Sequence, residues 1–183
     1  MFFTRKGDDG STGWLGEGRL PKYDLRIEAL GSIDECTASL GLARSMMGDS
    51  PESALVLQIQ RDLYQVMAEV AASPENAEKF RKIGPGSVTD LENQIQGIQS
   101  RIQMPDEFIV SGDSQASAAI ALSRTSVRRA ERRVMELLDR GMVINPNLGV
   151  YLNRLSSLLF VLEIFLLQQS GKSHPTLTKG SAK

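Results

Sequence analysis

Hydrophobic residues recur at three- and four-residue steps along most of the chain, which is the spacing of amphipathic helices. The first stripe runs from about residue 24 to residue 47 and ends before Gly48. The second follows Ser50-Pro51, a pair typical of an N-cap with proline at the first helical position. The pattern therefore predicts two long helices joined by a short turn.

Three further helices are predicted after a polar linker that we expect to be mobile. Residues 89–92 (Thr-Asp-Leu-Glu) fit a capping box, so the third helix should begin near residue 89. A fourth spans about 114–140, after the short extended stretch 108–110. The last spans about 147–170 and is apolar nearly all round, as in the centre of a bundle or a subunit interface. These elements predict an all-α, up-down bundle of about five helices.

The two ends of the chain lack this periodicity. Residues 4–22 are rich in glycine and predict a structured loop, whereas residues 171–183 are polar and are expected to be disordered. We therefore expect one domain over residues 1–170. The N-terminus does not resemble a signal peptide, and the apolar run 158–167 is interrupted by Glu163 and too short to span a bilayer. A cytoplasmic, soluble protein is the resulting expectation.

Composition excludes several kinds of chemistry. The 21 basic and 22 acidic residues nearly balance, so no global charge favours nucleic acid or an anionic membrane. The single cysteine, Cys36, and the single histidine, His174, cannot form a typical zinc site or a convincing nucleophile–base pair. Any catalysis should therefore depend on positioning and charge stabilisation.

Local clusters of cations offer the candidate chemistry. On the fourth helix, Arg124, Arg128 and Glu131 lie at the edge of the apolar stripe, whereas the neighbouring arginines fit a solvated surface. In the N-terminal loop, Lys6 and Lys22 could accompany phosphate-binding backbone N–H groups. The loop is neither a Walker A nor a Rossmann motif, and an ordinary turn-rich lead-in fits it as well. Together, loop and helix could enclose a polyphosphate.

Four separated motifs, in the right order, resemble the PduO-type ATP:cob(I)alamin adenosyltransferases. The likeness extends from residue 3 to about residue 167. Its motifs are Thr4-Arg5-Lys6-Gly7-Asp8-Asp9-Gly10-Ser11-Thr12 with Pro21-Lys22, Gly31-Ser32-Ile33-Asp34-Glu35, the R-x-x-x-R-R-x-E-R-R run from Arg124 to Arg133, and Tyr151-Leu152-Asn153-Arg154-Leu155-Ser156.

The resemblance implies a homotrimer with active sites between subunits, where the 5′-deoxyadenosyl group of ATP passes to cob(I)alamin and triphosphate is released. It implies Mg²⁺ on the ATP phosphates and assigns no metal to protein side chains. Arg128, Lys22 and Phe108 would serve catalysis, Phe108 by keeping the lower axial ligand off cobalt. Asp34 and Arg124 would form an ion pair across the subunit boundary. The implied ATP-binding residues are Thr4, Arg5, Lys6, Gly7, Thr12, Gly13, Lys22, Arg128, Arg129, Ala130, Glu131, Arg132 and Asn153.

Two departures from the family pattern leave alternatives open. Ser111-Gly112-Asp113 stands where a Pro-Gly-Gly turn is common, and Ser157 replaces the usual aspartate after the Asn-Arg-Leu-Ser run. One alternative is a non-enzymatic bundle that senses or carries nucleotide or cobalamin. Another is a helical protein whose arginines bind RNA or an acidic partner, which the near-neutral charge disfavours. The enzyme interpretation admits a cobalamin reductase and an adenosylcobalamin-dependent enzyme as partners, and neither nucleic acid nor membrane.

Overall fold

The computed structural model describes residues 5–172 and 174–179, and five long helices dominate this part of the chain. A two-stranded antiparallel ribbon lies in the N-terminal loop and a one-turn helix lies in the linker after the second long helix. The all-helical prediction therefore holds apart from the small ribbon. The elements are β1 Ser11–Thr12, β2 Leu20–Pro21, α1 Leu25–Ser45, α2 Pro51–Ala71, α3 Ala77–Phe80, α4 Pro85–Gln99, α5 Gln115–Asp139 and α6 Asn147–Gln169.

Side-chain caps fix the starts of three long helices where the sequence predicted them. The Asp24 carboxylate accepts a hydrogen bond from the Arg26 N–H at the start of α1. The Ser50 hydroxyl accepts from the Ser53 N–H at the start of α2. Ser114 accepts in the same way at the start of α5. Each cap satisfies a backbone donor that the first turn leaves unpaired.

The predicted start of α4 is wrong by one turn. The helix begins at Pro85, with Gly84 at the N-cap and the Ser87 hydroxyl accepting from the Gly84 N–H at 3.4 Å. Thr89 lies inside the helix, where its hydroxyl donates to the Pro85 carbonyl. Proline is favoured at the first helical position, because its missing N–H needs no partner there. Pro85 is therefore a start signal that competes with the capping box at Thr89.

The linker before α4 is held against the bundle rather than detached from it. It contains α3, and Ile83 is buried in the core. Asn145, also buried, donates to the Ile83 carbonyl at 2.9 Å and to the Glu69 carboxylate at 3.1 Å. Because buried amide groups of this kind need their partners, these bonds fix the linker's path. The expectation of a mobile linker is therefore not met.

The helix α6 lies at the centre of the molecule, packed between α4 and α5, while α1 packs against α2 and α5. By length and composition α6 could also cross a membrane, and it is the one helix of the described residues that meets this test. About two thirds of its most apolar window is buried inside the protein. Its apolar surface is thus covered by the bundle, as the sequence predicted for a central helix.

The described tail residues make hydrogen bonds with the segment that precedes α5. The Val110 N–H donates to the Thr176 carbonyl at 2.7 Å, and the Thr178 N–H donates to the Phe108 carbonyl at 2.9 Å. The Asp113 carboxylate accepts from both the N–H and the hydroxyl of Thr176. The extended stretch 108–110 therefore has an antiparallel partner at 176–178, which composition alone did not indicate.

Candidate active site

Hydrogen bonds from Arg19 hold the N-terminal loop in a defined shape. Arg19 lies across it, with Nη2 donating to the carbonyls of Lys6 at 2.7 Å and Ser11 at 3.0 Å. Its Nε donates to the Ser11 hydroxyl at 2.6 Å. Ser11 in turn donates to the Asp9 carboxylate through its N–H and its hydroxyl, and these bonds lower the pKa of Asp9. The loop is thus organised around one arginine that the sequence motifs did not single out.

Lys22 projects its ammonium group over the glycine at position 7. A Cβ added at Gly7 would lie 3.2 Å from the Lys22 Nζ, a tight contact that would push the lysine end away by a few tenths of an ångström. The Lys22 N–H donates to the Gly10 carbonyl at 2.9 Å. An open cavity of about 720 Å³ borders this part of the loop and includes Lys22 and Arg19 in its lining. The Lys22 ammonium group, the glycine backbone and an open cavity therefore lie together.

The other loop residues of the predicted site have simpler positions. Arg5 and Lys6 are exposed, Thr12 is half-buried in β1 and Gly13 is exposed after it. Thr4 lies outside the described residues. Each of the four described residues is on the same loop as Lys22, so the structure groups them as the sequence did. Their contacts to ATP stay predictions.

The arginines of α5 divide into two sets. Arg129 pairs with Glu35, and Arg133 lies 3.6 Å from Glu28, so both are engaged with α1. Arg128 is exposed, and its side chain has no hydrogen bond or ion pair among the residues that the structure describes. Of the predicted site residues on this helix, Arg128 is therefore the one most free to meet an anion.

Glu131 and Asn153 join α5 to α6 beside Arg128. The Asn153 Nδ2 donates to the Glu131 Oε1 at 2.8 Å. The Arg132 guanidinium folds back onto the Arg128 carbonyl at 2.9 Å. The methyl group of Ala130 is fully buried in the core and faces away from any surface ligand. The two predicted motifs on α5 and α6 are thus in contact, which sequence spacing could not establish.

Phe108 is not a core residue, because 87% of its surface is exposed. It borders a cavity of about 490 Å³ together with Arg124 of α5 and Phe160 of α6. The Arg124 guanidinium lies 5.8 Å from the centroid of the Phe160 ring. Such an exposed aromatic ring at the edge of a cavity is typical of a ligand contact. The sequence pattern did not single out Phe160, because it lies within a long apolar run of α6 where any residue fits a core position.

Two buried polar atoms lie behind this cavity. The Nε of Arg124 and the Oε2 of Glu163 are buried without a hydrogen-bond partner among the described residues. Burial raises the pKa of Glu163, while Ser111 and Arg124 lower it.

The single cysteine, Cys36, is buried with its thiol donating to the Ser32 carbonyl, and burial raises its pKa to about 12. The thiol therefore stays protonated, and it is not a candidate nucleophile.

The N-terminal loop lies beside the C-terminal end of α5, whereas the exposed Arg128 lies near the middle of that helix. Glu28 and Glu35 of α1 pair with Arg133 and Arg129, so α1 and α5 are antiparallel. The loop precedes α1 and therefore lies toward the C-terminal end of α5. The cavity beside Lys22 is lined by the loop and the start of α1, whereas Arg128 lies further back along α5. The loop cations and Arg128 are thus separated from each other on one chain.

Comparison with known proteins identifies the family. The family model described as cobalamin adenosyltransferase matches residues 2–166. A corrinoid adenosyltransferase of Bacillus subtilis is 34% identical over 92% of this chain and 88% of its own length. A cobalamin adenosyltransferase of Cupriavidus metallidurans is 36% identical over 93% and 90%. The corrinoid adenosyltransferase PduO of Salmonella typhimurium is 34% identical over 87% of this chain, which matches 48% of that longer protein.

Solved structures agree with the sequence relatives. A PduO-type ATP:corrinoid adenosyltransferase from Lactobacillus reuteri, with phenylalanine replaced by alanine and in complex with cobalamin and ATP, superposes with a TM-score of 0.88 at 26% identity. The match covers 98% of this chain and all of that one. A variant of the same protein with arginine replaced by lysine, in complex with ATP, has the same TM-score. The chain therefore belongs to the cobalamin adenosyltransferase family.

Proposed function

We propose that this chain, a corrinoid adenosyltransferase by its family, transfers the 5′-deoxyadenosyl group of ATP to cob(I)alamin and releases triphosphate. The observation that carries the proposal is the occurrence of two separate cationic places on one chain, which we propose are complementary half-sites. One is a glycine-rich loop that presents Lys22 over Gly7. The other holds the exposed Arg128. Both carry the cations that a triphosphate leaving group requires.

The reaction suits a site with no protein nucleophile. The reduced cobalt attacks C5′ of ATP, and a cobalt–carbon bond forms as the bond from C5′ to the phosphate oxygen breaks. The electron pair of that bond leaves with triphosphate. Arg128 and Lys22 would stabilise the charge that develops on the leaving oxygen. Phe108, on the cobalamin side, would exclude the lower axial ligand and water from the cobalt.

Magnesium would be held mainly by the phosphates of ATP. Among the residues that the structure describes, no group of three or more His, Cys, Asp or Glu side chains could hold a metal ion. Mg²⁺ commonly keeps several waters and binds through substrate phosphates with few protein ligands, so the loop's donor set fits that use. When bound, it would neutralise phosphate charge; the loop itself would orient the nucleotide.

A homotrimer would bring the two half-sites together at each subunit boundary. Arg124 is half-buried and lines the cavity beside Phe108, and its guanidinium has no ion pair among the described residues. Asp34 is exposed on α1, and the described part of the chain offers it no ion pair. An Asp34 carboxylate from a second copy would satisfy Arg124. These two observations support the subunit-boundary ion pair.

Asp34→Asn is expected to weaken assembly or ATP affinity, because it leaves Arg124 without a charge partner. Removing one member of a buried pair costs about 3–5 kcal/mol. Sedimentation and ATP titration measure the two effects, with Asp49→Asn on the loop after α1 as a matched control. A trimer of unchanged stability with normal ATP affinity would exclude the ion pair, and an active monomer would exclude the shared site.

An anaerobic assay with ATP, Mg²⁺ and chemically reduced cobalamin tests the proposed reaction directly. Formation of a cobalt–carbon bond with stoichiometric triphosphate is the expected result. A bundle that only senses or carries its ligands would bind both without releasing triphosphate. We further propose a cytoplasmic location, where a cobalamin reductase and an adenosylcobalamin-dependent enzyme would supply the substrate and use the product.

A further inference from the structure

A buried arginine on the first turn of α1, Arg26, belongs neither to the sequence motifs nor to the proposed reaction. Only 3% of the residue is exposed. Its Nη1 donates to the carbonyls of Val70 and Ala72, at the end of α2, the second at 2.9 Å. Its Nη2 donates to the Met142 carbonyl, just after α5, at 2.7 Å. One side chain thus joins the ends of three helices.

The same guanidinium supports the N-terminal loop. The Arg26 carbon Cζ lies 5.3 Å from the centroid of the Trp14 ring, within the range of a cation–π contact. The Trp14 Nε1 donates to the Glu17 carbonyl at 3.0 Å. A Cβ added at Gly16 would lie 2.5 Å from the Trp14 ring, so the indole is folded tightly onto the loop backbone. The Trp14 indole therefore contacts Arg26 on one side and the loop backbone on another.

Backbone bonds extend this support to the end of α2. The Leu15 N–H donates to the Ala71 carbonyl at 2.9 Å, and the Ser73 N–H donates to the Leu15 carbonyl at 3.0 Å. Arg26 bonds the carbonyl of Ala72, between these two residues. The loop, α2 and the turn after α5 consequently meet at one buried cation. Burial lowers the pKa of Arg26, but an arginine stays charged. The buried charge therefore needs the carbonyl groups that accept its hydrogen bonds, and this need holds them in place.

We infer that Arg26 is a positioning residue for the nucleotide loop. It holds residues 5–22 in a fixed position relative to the C-terminal end of α5. It does not touch the proposed ATP site; it acts through Trp14 and the carbonyls it binds. The inference rests on the proposed function for the loop. Its chemistry is specific to arginine, because a lysine ammonium lacks the planar fork that stacks on a ring while reaching three carbonyls.

Trp14 reports on the loop without any substrate, because it is the only tryptophan of the chain. In Arg26→Lys, acrylamide quenching of the Trp14 fluorescence is expected to rise about twofold, since a loosened segment exposes its side chains. Arg101→Lys is the matched control. The Arg101 guanidinium also stacks on a ring, that of Phe165 at 4.4 Å, and pairs with Glu52, in a different part of the bundle. It should leave the quenching unchanged.

Kinetics separate positioning from general destabilisation. At a temperature where far-ultraviolet circular dichroism shows wild type and variant equally folded, Arg26→Lys is expected to raise the KM for ATP about tenfold. The KM for cobalamin should stay near the wild-type value. Trp14→Leu, which removes the stacked ring from a partly exposed site and leaves the carbonyl bonds intact, should shift the KM for ATP in the same direction.

The outcomes distinguish this inference from the proposed function. Wild type that fails to bind ATP would overturn the function, whatever the variants do. Wild type that binds ATP, with unchanged Trp14 quenching and KM for ATP in Arg26→Lys, would overturn the positioning role. Equal rises in both KM values would assign Arg26 to general stability and likewise overturn it. If Arg26→Lys does not fold, a normal KM for ATP in Trp14→Leu would also overturn the positioning role.

Discussion

Arg128→Ala is expected to lower kcat for triphosphate release by about 10²–10³-fold, the usual cost of losing one preorganised charge at a developing anion. The side chain is exposed on α5 and has no partner among the described residues, so its removal leaves no buried group unsatisfied. The fold and the melting temperature should therefore stay close to those of wild type. Most of the effect should fall on kcat, because leaving-group charge develops in the transition state.

A matched control lies near the C-terminal end of the same helix. Arg140 is also a largely exposed arginine, and it pairs with Glu136 one turn earlier. Arg140→Ala removes the same charge from the protein as a whole while leaving the proposed site intact, so its kcat should match wild type within a few-fold. Equal activities for the two variants, with triphosphate release measured anaerobically, would place the leaving group elsewhere. A loss confined to KM would instead give Arg128 a binding role.

The helices could be predicted because their burial is periodic. Ile33, Cys36 and Leu40 on α1, like Val127 and Val134 on α5, are buried at the spacing the sequence showed. Boundaries failed where two start signals competed, as at Pro85 and Thr89. The contacts of the described tail residues could not be predicted because they depend on Asp113, far away in the sequence, and composition carries no such long-range information.

The candidate site was predictable where its residues are close along the chain. The loop glycines with Lys22, and the α5 arginines, each form a local motif whose chemistry follows from residue type. Contacts between separate elements could not be predicted in this way: Asn153 with Glu131, Arg124 with Phe160, and Arg26 with Trp14. The pairing of Arg129 with Glu35 could not be predicted either, although it leaves that arginine less available to ATP.

Phe108→Ala is expected to fold and bind ATP but to lose the ability to form four-coordinate cob(II)alamin, and with it adenosylation. A phenylalanine in a core would lose about 3–5 kcal/mol of stability on truncation. Phe108 is 87% exposed, so little of that cost applies here. Its ring borders the cavity shared with Arg124 and Phe160, where an apolar wedge can keep the lower ligand and water from the cobalt face. Four-coordinate cob(II)alamin has a distinct spectrum, and electron paramagnetic resonance with enzyme and ATP measures it directly.

Two further variants make the Phe108 prediction specific. Phe108→Leu keeps an apolar side chain of reduced size, so it should retain part of the four-coordinate signal. Val110→Ala trims another exposed apolar residue of the same segment, whose N–H still binds the Thr176 carbonyl, and should behave as wild type. A soluble Phe108→Ala protein with a full signal and normal adenosylation would show that the ring is not the wedge. If wild type lacks the signal, the cause to test is Ser111-Gly112-Asp113, where Asp113 holds the tail through Thr176. Asp113→Gly would then be expected to restore it.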